Sequence, residues 1–153
     1  MLRLFDEAGH REGYALETIG HDLDDPFRAP RPDVQPFRKL VVWQKAHELA
    51  LNLYKTTRTF PTDERYGLTS QVRRSAASIC ANIAEACCRQ TRRDFARFAY
   101  IALGSASELV YHLLMASDLG LLNKECYLPL ERSVTQVKRM LTGLIRRLMT
   151  DNR

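Results

Sequence analysis

From Phe37 onward the apolar residues recur at steps of three and four in four successive stretches, each bounded by residues that start or stop a helix. That period is the mark of a helix with one buried face. The first stretch, 40–59, aligns Trp43, Ala46, Ala50, Leu53 and Thr57 and is closed by Phe60-Pro61. The second, 63–89, aligns Leu68, Val72, Ala76, Ile79, Ile83 and Ala86, with Thr62 or Asp63 as its expected cap and Glu64 suited to the positive end of the dipole. The third, 92–119, aligns Phe95, Phe98, Ala102, Ser105, Leu109, Leu113 and Ala116. It opens on a capping-box pair, Thr91 and Asp94, and stops at Gly120, where a left-handed residue can end a helix. The fourth, 124–150, is capped by Asn123 and carries Leu130, Val134, Val137, Leu141, Leu144 and Leu148 at heptad spacing. Pro129, early in it, is expected to kink the helix or delay its regular part.

Heptad spacing favours nearly parallel helix packing, and short links between long helices make neighbours antiparallel. The expected fold is therefore all-α, an antiparallel up-down-up-down four-helix bundle over residues 37–153. The 153 residues suit one domain able to bury its own core. Residues 1–36 differ in kind. Asp22-Leu23-Asp24-Asp25-Pro26 and then Pro30, Pro32 and Pro36 interrupt any regular element, leaving at best a short helix near 14–19. We expect a flexible acidic N-terminal extension; docking on the body and an alternative translation start are both open.

Charge follows the same division. Residues 1–36 hold four basic and eight acidic residues, whereas 37–153 hold nineteen basic and ten acidic, a balance of +9. A basic folded body attracts polyanions, nucleic acid among them. Arg89, Arg93 and Arg97 fall at steps of four around the corner between the second and third helices, with Arg92 beside them. Guanidinium groups suit phosphate because they donate two parallel charge-assisted bonds. This corner is the expected nucleic-acid-binding site. Arg73-Arg74, Lys138-Arg139 and Arg146-Arg147 are further basic pairs. No stacking platform or base-reading motif accompanies them, so binding is expected to be backbone-directed.

The second helix is unusual in composition. From Ser75 to Cys88 only Asn82 and Glu85 are strongly polar. A bundle helix should be polar on its outward half, so this one is expected to meet another copy of the chain on its second face. The patch Gly104-Ser105-Ala106-Ser107 on the third helix is equally smooth. Asn82 and Glu85 then need partners, because an unpaired buried charge is costly. Arg89 lies one turn beyond Glu85, and Arg73 and Arg74 are near in sequence. We expect Arg73, Arg74, Asn82 and Glu85 to form a structural or oligomer polar network.

Catalytic and metal patterns are missing. There is no Glu-x-x-His, no phosphate-binding loop, no dinucleotide fingerprint and no Gly-x-Ser-x-Gly elbow. Cys80, Cys87, Cys88 and Cys126 contain no Cys-x-x-Cys pair and read as small hydrophobes in a reducing compartment. No metal, no cofactor and no enzymatic activity are expected. No window approaches ~18 uncharged apolar residues and the N-terminus lacks a secretory pattern, so the expectation is a cytoplasmic protein without a membrane partner.

Several ordered motifs, spanning roughly residues 37–149, resemble the four-helix-bundle proteins of the 23S ribosomal RNA intervening-sequence family. They are Phe37-Arg38-Lys39-Leu40-Val41-Val42-Trp43-Gln44-Lys45-Ala46, Phe60-Pro61, Glu64, Tyr66-Gly67-Leu68-Thr69-Ser70-Gln71-Val72-Arg73-Arg74, Ser78-Ile79, Ala81-Asn82-Ile83-Ala84-Glu85, Gly104-Ser105 and Glu108-Leu109. The resemblance implies a bacterial, cytoplasmic, all-helical protein assembling as a ring-like homopentamer, with no assigned activity for most members. The family is similar in fold to the basic, ring-forming accessory proteins of diversity-generating retroelements, which bind nucleic acid and a reverse transcriptase. Cys80 stands where the family usually has Pro, and Ala86 where it usually has Gly; the first change makes the second helix more regular and the second alters how closely a neighbour approaches. Three functions fit: an oligomeric scaffold binding RNA or DNA, a module for an acidic protein partner, and a nuclease-type enzyme using Glu85.

Overall fold

The computed structural model describes residues 36–150; the expected extension, Pro36 apart, and the short helix near 14–19 lie outside the described residues. Four long helices and no strands occupy the described chain: α1 (Val41–Thr56), α2 (Leu68–Ala86), α3 (Arg92–Asp118) and α4 (Lys124–Thr150). Short 3₁₀ turns at Pro36–Lys39, Thr57–Thr59 and Thr62–Arg65 flank α1 and lead into α2.

The helix ends follow from local chemistry. The stretch expected to start at Asp63 is broken by Gly67, so Thr62–Arg65 forms a separate turn and α2 begins at Leu68. Glu64, expected inside the first turn, instead stands before the helix. Its Oε2 accepts the orphan Leu68 N–H at 2.9 Å, and neither Thr62 nor Asp63 caps α2. A Cβ on Gly67 would approach that same oxygen to 2.7 Å, so the absence of a side chain there keeps the cap in place. At α3 the Thr91 Oγ1 accepts from Asp94 N at 3.0 Å as expected, while its hydroxyl donates to Asp94 Oδ2 at 2.6 Å. Asn123 Oδ1 accepts from Cys126 N at 2.8 Å and caps α4. That helix runs continuously through Pro129.

Gly120 ends α3 with φ +72°. Leu121 N–H donates to Ala116 O at 2.8 Å and Gly120 N–H to Ser117 O at 3.0 Å, the paired bonds of a Schellman turn. No atom lies within 4 Å of where a Cβ would sit. Gly120→Ala therefore tests the backbone alone, and should cost about 1 kcal/mol because an L side chain resists the left-handed region. A urea midpoint identical to that of the parent chain would overturn this expectation.

The core draws on every helix. Leu49 and Leu53 of α1, Val72, Ile79 and Ile83 of α2, Leu109 and Leu113 of α3, and Val134, Val137 and Leu141 of α4 are almost entirely removed from solvent. Each helix packs on two others: α1 on α2 and α4, and α3 on α2 and α4, the α2–α3 contact being the largest. All six stripe residues expected on α2 are buried. On α3 the buried set starts at Ala96 and Ala99, and Phe95 and Phe98 are only half-buried, so small residues face the close α2 contact. On α4 the stripe moves from Leu144 to Ile145 at its end, because a straight helix of 3.6 residues per turn drifts against a strict heptad. By length and composition α3 is apolar enough to cross a membrane, with a mean hydropathy of 1.3 over its best window. Its Ala102, Ala106, Leu109 and Leu113 belong to the common core.

Candidate nucleic-acid interface

The four arginines at the α2–α3 corner have different surroundings. Arg89 follows the end of α2; its guanidinium pairs with Glu85 one turn back and lies 4.3 Å from the centre of the Phe98 ring. It is thus a corner brace, with its charge largely answered. Arg92 and Arg93 open α3 and are exposed, and Arg97 is exposed one turn later. Arg93 and Arg97 make no ion pair among the described residues. The corner therefore offers fewer uncommitted guanidinium groups than its spacing suggests.

Arg73, Arg74, Asn82 and Glu85 are not joined into one network within a single chain. Arg73 turns toward α1: its Nε donates to Thr57 Oγ1 at 2.9 Å and its guanidinium lies 5.0 Å from the Tyr54 ring centre. Arg74 turns toward α3 and pairs with Glu108, and its Nε donates to Gln71 Oε1 at 3.1 Å. Asn82 donates to the Ser78 carbonyl at 2.8 Å, and Ser78 Oγ meets Ser105 Oγ across the helix pair at 2.9 Å. Glu85 is exposed and held by Arg89. These are separate clasps: one between α1 and α2, two between α2 and α3, and one within the corner.

Glu108 carries a second contact, with His112 Nε2 at 3.4 Å. His112 Nδ1 is buried without a hydrogen-bond partner among the described residues. No group of three or more His, Cys, Asp or Glu residues is arranged to hold a metal ion among the described residues. Burial pushes the Cys80 thiol up to about 11, and burial with the neighbouring Cys88 does the same for Cys87. Both therefore stay protonated at neutral pH and are poor nucleophiles.

The largest set of cations on one helix without a described ion pair lies on α4. From Arg132 to Thr150 this helix carries Arg132, Lys138, Arg139, Arg146 and Arg147 and no acidic residue. None of the five makes an ion pair with a described residue. Arg132, Arg139 and Arg146 recur at steps of seven, which places them on one stripe about 10.5 Å apart. Between α3 and α4 runs a groove made of two adjoining cavities of about 500 and 480 Å³, which share Thr142 and Arg146. Lys138, Arg139 and Arg146 stand along it, with Leu103 and Val110 of α3 as apolar lining and Tyr100 toward one end.

A family model described as 23S rRNA-intervening sequence protein matches residues 38–143. The chain belongs to this family. The match covers the described helices up to Gly143 and leaves out the acidic extension. Among solved structures, this family member is similar to a protein of unknown function from the S23 ribosomal protein family of Bacteroides thetaiotaomicron, at 29% identity and a TM-score of 0.65. That likeness covers 69% of this chain and 96% of the other. A comparison with curated proteins finds no match.

For this family member, sequence reasoning singled out the corner arginines by their spacing and noted Lys138-Arg139 and Arg146-Arg147 only as pairs. The seven-residue recurrence of Arg132, Arg139 and Arg146 is equally visible in the sequence. The α3 side of the groove, and the reach of Arg74 to Glu108 across 34 positions, had no local signal at all.

Proposed function

We propose that this protein is a non-enzymatic oligomeric scaffold that binds RNA or DNA through its basic surface. The observation that carries this reading is the run of five cations on α4 that no acidic residue of the helix from Arg132 onward neutralises. Phosphate groups are the natural complement of exposed, unpaired arginines. The non-enzymatic part is supported by Glu85, the one carboxylate considered for nuclease chemistry, which is engaged by Arg89 on its own side of the corner.

We propose further that the helices form an antiparallel up-down-up-down bundle and that copies assemble into a ring. Antiparallel packing is supported by the pairings Arg74 with Glu108 and Ser78 with Ser105, in which residue numbers rise along α2 as they fall along α3. Self-association is supported by the outward face of α2, where Ala77 and Ala81 are exposed, and by Gly104 and the 44% exposed Ile101 of α3. Small residues in such a patch let a neighbouring helix approach closely, and exposed apolar surface favours burial by a partner. The family resemblance makes five the expected number of subunits. A bacterial, cytoplasmic setting fits the same reading.

Light scattering coupled to size exclusion should give a mass several times the 17.6 kDa of one chain. Fluorescence anisotropy with short RNA and DNA should show binding at low salt that weakens steeply as salt rises, because phosphate neutralisation releases counterions. A monomer at micromolar concentration would remove the ring. Absence of binding at low salt would leave the basic face to an acidic protein partner.

A further inference from the structure

We infer that the α3–α4 groove, rather than the α2–α3 corner, is the nucleic-acid site, and that it takes a single strand, with phosphates on the Arg139–Arg146 edge and bases toward the apolar floor and Tyr100. This inference rests on the nucleic-acid reading above and specifies where and in what form the ligand binds.

Three features converge on the groove. The first is charge. Lys138, Arg139 and Arg146 stand along it, and Arg132 continues their stripe beyond it. At the corner, by contrast, Arg89 is held by Glu85 and Phe98. The second is the floor. Leu103 and Val110 line the groove between the helices, and Thr142 and the exposed Gly143 leave room for close approach. A duplex turns its phosphates outward and stacks its bases inside, so it would leave an apolar floor unused. A single strand presents both parts at once, backbone to cations and base faces to apolar or aromatic surface. The third is Tyr100, a 55% exposed ring at the groove beside Arg146 and Met149. An exposed aromatic next to a row of guanidinium groups is the pairing that sequence-tolerant single-strand binding uses. An even row of arginines suits a regularly repeating polyanion better than a peptide, whose acidic side chains are irregularly placed.

The test uses the full chain, a labelled oligouridylate, a duplex of the same length and polyglutamate as competitor. In the double variant Arg139→Glu/Arg146→Glu, affinity for the single strand should fall at least about tenfold, and the slope of log K against log salt should shrink by about 1.4 for two lost phosphate contacts. The milder Arg139→Gln/Arg146→Gln pair should move both quantities in the same direction, which guards against a folding defect from charge reversal. Tyr100→Ala should weaken single-strand binding by roughly five- to a hundred-fold at every salt concentration and leave the slope unchanged, because stacking releases no counterions. Arg93→Glu/Arg97→Glu, with its oligomeric mass verified, should bind like the parent. If the corner variant loses binding and the groove variants do not, the groove assignment is overturned while nucleic-acid binding stands. If the duplex binds as tightly as the single strand, or polyglutamate displaces RNA at equal charge and Tyr100→Ala is silent, the single-strand site is overturned in favour of a duplex or an acidic peptide. If the parent chain binds no nucleic acid at low salt, both readings fall together.

Discussion

Leu141→Ala should destabilise the bundle by about 2–5 kcal/mol, the range for deleting a buried leucine whose surroundings relax only in part. Leu141 is completely buried in the common core, where all four helices contribute. The loss has two sources: the apolar surface no longer removed from water and the cavity that remains. Urea unfolding at a fixed protein concentration reads it directly, fixed because any assembly couples stability to concentration. A loss below about half a kcal/mol, the size seen at exposed sites, would mean that Leu141 does not face the core.

The opposite change probes the α2–α3 contact. Ala102 and Ala106 are completely buried on α3, the helix whose largest contact is with α2. Ala102→Leu adds three carbons at a position fully closed to solvent. The cost of forcing a larger side chain into a closed interior is typically ~1–3 kcal/mol. The same experiment reads it, and a stabilised variant would show that the interface holds an unfilled void. The two variants together separate a core limited by volume from one limited by close approach.

Sequence patterning located the helices because their apolar period is long and uninterrupted. The α2 stripe was legible, since Leu68, Val72, Ile79 and Ile83 are the only large aliphatic residues of the helix and Ala76 and Ala86 continue their spacing. On α3 the eye goes to Phe95 and Phe98, yet Ala96 and Ala99 are buried. Side-chain size misleads where helices approach closely and small residues fill the contact. The start of α2 was misplaced because Gly67 divides one periodic stretch into a turn and a helix, and periodicity alone does not register that break. At the candidate site the charges were legible and the shape was not. The partners of Arg73 and Arg74, adjacent in sequence, lie on different elements, Thr57 in the turn after α1 and Glu108 on α3. The groove exists only when α3 residues such as Leu103 and Val110 come to stand beside α4.

The acid-free stretch of α4 also sets the sign of two salt effects against each other. Arg139 and Arg146 stand about 10.5 Å apart, close to the screening length of ~10 Å at 0.1 M salt and well inside the ~30 Å at 0.01 M. In dilute buffer these like charges repel along the helix, and only those near its C-terminal carbonyls are offset by the dipole. Added salt screens that self-repulsion, so the fold should tighten slightly over the same range in which a bound polyanion is released. This charge pattern is therefore one that the bare protein carries under electrostatic tension at low ionic strength, and any bound polyanion would relieve it as salt does.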